Sequence, residues 1–210
     1  MTGPAFLLVV MVAAAAVGDW IAVAQKNRNL EYICKPLTTA LLLGLASTIE
    51  PEHSGTRAWF VVALIFSLVG DVCLMLPRDL FLAGLGAFFT AHVAYVVGLL
   101  LDGVGMGRLL TGMVLVAVAI VAIGTRLVAA VNDKQPALLL PVMGYIGVIS
   151  AMVASAVGTG QALAIVGALA FYASDTLLGW ARFVHEHARS RLAIMVTYHL
   201  AQLALVLSLT

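Results

Sequence analysis

The chain is 210 residues long, 63% hydrophobic and only 10% charged, with a mean hydropathy of +1.10. A soluble domain carries roughly 25% charged and 45–50% apolar residues, so water is not the main solvent for this chain. The formal net charge is +1, with no basic stripe and no charge run, which removes the electrostatic basis for a nucleic-acid partner.

A helix that crosses the hydrocarbon core needs about 20 largely apolar residues. Breaks of Pro, Gly and charge divide the chain into eight candidates, predicting an all-α integral membrane protein with one transmembrane helical domain over 1–210. The first candidate spans 4–24; residues 1–17 lack the positive n-region of a secretory signal and are read as a retained membrane helix. The second, 34–49, is short enough to be tilted or extended inward from Tyr32. The third, 58–76, carries Asp71, and the fourth, 80–101, carries His92 and Tyr95. The fifth is 108–130 and the sixth, 137–157, contains Tyr145. The seventh, 161–180, carries Asp175, and the eighth, 191–209, carries Tyr198, His199 and Gln202. Most connections are only a few residues long, which forces an antiparallel serpentine bundle.

Basic residues give the orientation. Lys26, Arg28, Lys35, Arg78, Arg126, Lys134, Arg182, Arg189 and Arg191 lie at one end of the bundle, against Arg57 and Arg108 at the other, nine to two. The positive-inside rule then puts both termini outside the cytoplasm, in a cell membrane of bacterial type. Trp20, Trp59 and Trp180 sit at segment ends, where interfacial anchors sit. Cys34 and Cys73 have no metal-type spacing and read as packing residues.

Two pairs of helices share a pattern. Helices three and four carry Asp71 and then Ala91-His92-Val93-Ala94-Tyr95; helices seven and eight carry Asp175 and then Tyr198-His199-Leu200-Ala201-Gln202. A shift of four helices preserves orientation, so the pattern suggests a parallel four-plus-four repeat.

Polar groups at bilayer depth are costly and therefore informative. Asp71 precedes Leu76 by five residues and Asp175 precedes Trp180 by five, both near the basic end of helices running the same way. At 1.5 Å per residue this is roughly one and a half turns, which predicts two carboxyl groups at matched depth. Lys35, Asp19, Tyr198, His199 and Gln202 arrive near that level, while His92 and Tyr95 lie closer to mid-membrane. The expectation is a polar cavity open toward the basic end, with a deeper part near His92. Blander readings accompany each residue: Asp19 can snorkel to the interface, Lys35 can be a positive-inside anchor, and Tyr95, Tyr145 and Tyr198 can be packing groups. His185 and His187 read as solvated loop residues.

Lys35-Pro36-Leu37, Gly70-Asp71-Val72-Cys73-Leu74-Met75, Phe81 to Leu85, His92-Val93-Ala94-Tyr95, Ser174-Asp175 and Ala201-Gln202 run in this order through the chain. This ordered set resembles the YhhN family, which includes the animal lysoplasmalogenases. The resemblance implies hydrolysis of a vinyl-ether lysophospholipid, the expected partner within the bilayer, to an aldehyde and a glycerophospho-headgroup, with no cofactor and no metal. A vinyl ether must first be protonated on carbon, and water then captures the oxocarbenium ion. Two carboxyl groups suit that sequence, one protonated as acid and one ionised. Asp71 and Asp175 are the expected catalytic pair, without a choice of which is the acid. Lys35, His92, Tyr95, Tyr198, His199, Gln202 and Asp19 are the expected substrate-binding set, with Lys35 facing the phosphate; His199 rests on its position alone.

Two rivals use the same residues. Asp71, Asp175, His92 and His199 could be ligands of a metal-dependent lipid hydrolase, although the depth difference between His92 and the aspartates argues against it. Intramembrane carboxyls in a duplicated bundle also suit a proton-coupled lipid or small-molecule transporter. The sequence does not fix the oligomeric state.

Overall fold

A computed structural model describes residues 3–51 and 54–210. Those residues form helices α1 (Gly3–Ala24), α2 (Arg28–Thr48), α3 (Ser54–Met75) and α4 (Phe81–Asp102), then α5 (Met106–Ala119) and α6 (Thr125–Lys134), then α7 (Leu139–Thr159), α8 (Ala162–Phe183) and α9 (Ser190–Leu207). A π-helical segment, Ile120–Gly124, joins α5 to α6 into one span, and a 3-10 turn, Pro136–Leu138, leads into α7. The described residues thus form an all-α integral membrane bundle of eight long helical segments. The start of the expected first helix at residues 1 and 2, and residues 52 and 53 of the second connection, lie outside the described residues.

Seven of the segments are long and apolar enough to cross a bilayer; α2 has the length, 21 residues, without the apolarity. Its first turns carry Arg28, Glu31 and Lys35. The second helix begins at Arg28 and not at 34 because Asn27 caps it, its Oδ1 accepting from the Leu30 N–H at 3.2 Å. Pro36 therefore lies inside the helix, a position membrane helices tolerate. Glu31 and Lys35, one turn apart, are both buried on the inward face.

Leu7, Val114, Val118, Val121, Leu140 and Val166 point outward and are exposed, as a lipid-facing surface requires. The buried core runs through Leu42, Leu64, Tyr95, Met152, Phe171 and Leu205. α3 packs most extensively on α4, and α8 on α9. Small residues permit both approaches. A methyl group at Gly70 would come within 2.6 Å of the Phe88 ring, and one at Gly167 within 2.9 Å of the Leu205 backbone nitrogen. Gly70 thus lets α4 press against α3 beside Asp71. The second helix of each half also meets the fourth helix of the other half, as α2 with α9 and α7 with α4.

Candidate active site

Asp71 is fully buried near the end of α3. Its Oδ2 accepts from Thr39 Oγ1 of α2 at 2.6 Å and from Tyr198 Oη of α9 at 2.8 Å. Its Oδ1 lies 3.4 Å from Lys35 Nζ, and both side chains of this pair are nearly inaccessible. Every partner of Asp71 is a donor or a cation, the set that a charged carboxylate demands.

Asp175 is built differently. Its Oδ2 accepts from Tyr145 Oη of α7 at 2.5 Å and lies 3.2 Å from His92 Nε2 of α4. Tyr145 Oη and His92 Nε2 are themselves 2.9 Å apart. Three polar atoms therefore form a triangle. With Tyr145 donating to Asp175, His92 supplies the second proton from Nε2; with Asp175 protonated, its hydroxyl can donate to a bare Nε2. Phe171 packs between the two acid sites, its ring 4.7 Å from His92 and 5.4 Å from Tyr198.

Two cavities meet here. One, of about 110 Å³, is lined by Glu31, Lys35, Asp71, Asp175, Arg191 and Tyr198 among others. The second, of about 60 Å³, is walled by apolar groups such as Phe81, Leu85, Ile123, Leu127, Ile149 and Phe183, with Tyr145 and Asp175 as its acid–hydroxyl pair. Leu74, Phe88, Asp175 and Leu178 line both. Asp175, whose side chain is 13% exposed against 1% for Asp71, stands where the polar and apolar spaces join.

The YhhN family model matches residues 30–209, and these include every residue of both acid sites. The chain belongs to the YhhN family. Human "Lysoplasmalogenase TMEM86B" is 37% identical over 176 residues, 84% of this chain and 74% of that protein. The mouse protein of the same name is 33% identical over 191 residues, 90% of this chain and 79% of its own length. A Mycobacterium tuberculosis "Lysoplasmalogenase" is 32% identical over 170 residues, 78% of this chain and 64% of that one. No solved structure matches the chain.

Several expected site residues of this YhhN protein lie elsewhere. Asp19, His92, His199, Tyr95 and Gln202 line neither cavity. His199 turns toward α1, its Nδ1 accepting from Trp20 Nε1 at 3.1 Å, so Trp20 is tied inward as well. Asp19 is fully buried with neither carboxyl oxygen partnered. Tyr95 donates to Gln202 Oε1 at 2.5 Å, and Gln202 Nε2 donates to Tyr198 Oη at 3.3 Å, placing this pair behind Tyr198. His92 is not a separate deeper feature, because it touches Asp175 directly. The reason is the length of α8: it continues to Phe183, leaving Asp175 eight residues from its end (183 − 175), against four for Asp71 (75 − 71). Depth counted from Trp180 missed this, and the depth argument against a metal site falls with it. The four proposed metal ligands nonetheless diverge, since His199 meets Trp20. Among the described residues no group of three or more His, Cys, Asp and Glu converges as a metal site would.

The sequence places Thr39 one turn deeper than Lys35 without assigning it to the site, and it assigns Tyr145, Glu31 and Arg191 no part in it. Tyr145 was one tyrosine among several, yet its place six residues into α7 is a depth at which it can reach Asp175. Thr39 follows Lys35 by one turn on the same face. Glu31 fell in the expected α1–α2 connection, and Arg191 read as an interfacial charge.

Proposed function

We propose that this protein is a membrane hydrolase that cleaves the vinyl-ether bond of a lysophospholipid, with Asp175 as general acid and Asp71 as fixed anion. The relatives named lysoplasmalogenase support the reaction. The observation that carries the reading is the position of Asp175 between an apolar cavity and a polar one holding Lys35 and Arg191. In a lysolipid of this class the ether bond lies between the hydrocarbon chain and the phosphate, so seating each part in its matching cavity brings that bond to Asp175.

Protonated Asp175 delivers its proton to the alkene carbon distal to the ether oxygen. The electron pair of the double bond forms the new C–H bond, and positive charge spreads over the neighbouring carbon and the oxygen. Asp71 supplies a preorganised negative field for that cation. Water adds to the cationic carbon, losing its proton to the Asp175–His92 pair; the hemiacetal then gives up its hydroxyl proton as its C=O forms, and the departing glycerol oxygen takes up a proton in its place. The balance is one vinyl ether and one water to one aldehyde and one alcohol. Tyr145 orients the Asp175 carboxyl, and the triangle with His92 gives the proton a second resting place.

The chemistry requires the double bond, because a saturated alkyl ether cannot form the stabilised cation. Purified protein supplied with alkenyl and alkyl lysophospholipids should release aldehyde only from the first, with the second acting as a competitive inhibitor. Release of acyl chains from ester lysophospholipids at a comparable rate would replace this reading with a general lipase. Proton-dependent flux across proteoliposomes without product would favour a carrier. The nine-to-two basic asymmetry supports a cytoplasmic basic end; cysteines introduced at 55 and 187 should label from opposite sides of intact cells, and labelling of 187 from outside would reverse that assignment.

A further inference from the structure

Glu31 takes no part in the chemistry above. It lies one turn before Lys35 on α2, is 5% exposed, and lines the polar cavity. Arg191 Nη2 of α9 holds its Oε1 at 2.7 Å, while its Oε2 is buried without a partner. Arg191, at 47% side-chain exposure, stands at the mouth of the site and keeps donors free for a second acceptor. Buried carboxylate oxygens are normally paired, and an exception inside a cavity is a seat for a donor.

The charge balance around it points the same way. Glu31 and Asp71 line the cavity with Lys35 and Arg191, each acid paired to one of the two cations. The two cations are thus already matched by two carboxyl groups. A headgroup phosphate taken by Lys35 and Arg191 adds a further negative charge to that matched set. A ligand bringing its own cation restores the balance, and Glu31 is the acid placed in the cavity wall to receive it.

We propose that the polar cavity is a zwitterion site in which Lys35 and Arg191 take the phosphate and Glu31 takes a protonated primary amine on the headgroup alcohol. The assignment rests on the vinyl-ether reading for the placement of the lipid. A primary ammonium donates directly to Glu31 Oε2. A trimethylammonium cannot donate and is best held by aromatic faces. The aromatic residues of this cavity, Phe88 and Tyr198, lie seven and eight residues into their helices (88 − 81 and 198 − 190), deeper than Glu31, three residues into α2 (31 − 28).

The test uses the full-length protein in nanodiscs and three headgroups on one lipid: phosphoethanolamine, its N-acetyl derivative and phosphocholine. Binding is read with uncleavable 1-O-alkyl lysolipids and turnover with the 1-alkenyl series. Wild-type protein should favour phosphoethanolamine over the N-acetyl compound by at least about tenfold in both, as loss of a hydrogen bond to a charged group implies, with phosphocholine between them. Glu31→Gln should shrink that ratio below about threefold. Equal wild-type binding of all three headgroups, which needs no variant to be folded, overturns the proposal, and so does a ratio retained in a folded Glu31→Gln protein. Selective binding of the alkyl probes with no aldehyde from any alkenyl lipid would sink the vinyl-ether reading while sustaining the zwitterion site. Aldehyde formed equally from every headgroup would do the reverse.

Discussion

Asp71 and Asp175 lie on α3 and α8, four and eight residues from the helix ends, and each takes one partner from each half of the chain. One donor comes from the second helix of the same half, Thr39 for Asp71 and Tyr145 for Asp175. The other comes from the fourth helix of the opposite half, Tyr198 for Asp71 and His92 for Asp175. Tyr95 and Gln202, equivalent positions in the two motifs, meet each other. We propose that a parallel duplication underlies this exchanged pattern. The two acids differ in their surroundings. Asp71 has Lys35 beside one oxygen and two hydroxyl donors on the other. Asp175 has an imidazole beside it and stands in the wall of both cavities. On the proposed mechanism the first serves as the fixed charge and the second as the proton donor.

That contrast is sharpest under Asp to Asn substitution. Asp175→Asn should lower aldehyde release by about 10²–10⁴-fold, the range for a lost general acid, with little change in thermal unfolding. Asp71→Asn should lose activity and stability together, because Lys35 loses the carboxylate it is paired with, and breaking a buried pair costs about 3–5 kcal/mol. Adding Lys35→Met to Asp71→Asn should recover much of the unfolding temperature and none of the turnover. Equal destabilisation by the two Asn variants, measured by thermal unfolding in detergent, would erase the distinction.

A smaller effect separates the donors. Tyr145→Phe removes the 2.5 Å hydrogen bond to Asp175. Hydrogen bonds to charged groups contribute about 1.5–3 kcal/mol, or roughly 10–100-fold in rate if expressed at the transition state. Thr39→Val at Asp71 should instead appear mainly in unfolding temperature, since Asp71 keeps Lys35 and Tyr198. A Thr39→Val enzyme slower than Tyr145→Phe would exchange the roles of the two acids.

The class of protein and the burial of Asp71 were legible because lipid makes polar residues rare and therefore conspicuous. The partners of Asp71 and Asp175 were less so. Tyr145 is written like any tyrosine, and only the pairing of α7 with α4 and α8 brings it to Asp175. His199 carries the same chemical signal as His92, but helix rotation turns it toward Trp20 of α1, and rotation is set by packing that no single segment encodes. Glu31 was hidden by a boundary: the Asn27 cap extends α2 by two turns past the apolar stretch, so a cavity residue read as a loop. The π-helical turn at Ile120–Gly124 lies in an unbroken apolar run and leaves no compositional trace, yet it contributes Ile123 and Gly124 to the apolar cavity.

The smallest effect is expected behind the site, at Tyr95. Tyr198 has one proton and gives it to Asp71, so it must accept from Gln202 Nε2; that fixes the amide, and Gln202 Oε1 faces Tyr95. Tyr95→Phe strands this oxygen in a fully buried position, costing about 1–3 kcal/mol of stability. The rate should fall less than about fivefold, because the change reaches Asp71 only through the orientation of Gln202 and Tyr198. Tyr198→Phe removes a donor to the carboxylate itself and should slow the reaction more. In the double variant Tyr95→Phe should add its stability cost without a further loss of rate, since the relay no longer reaches Asp71. Aldehyde release and thermal unfolding of the four proteins in this cycle decide the matter. A Tyr95→Phe enzyme as slow as Tyr198→Phe, or rate losses that multiply in the double variant, would mean that Tyr95 acts on the reaction by a route independent of Asp71.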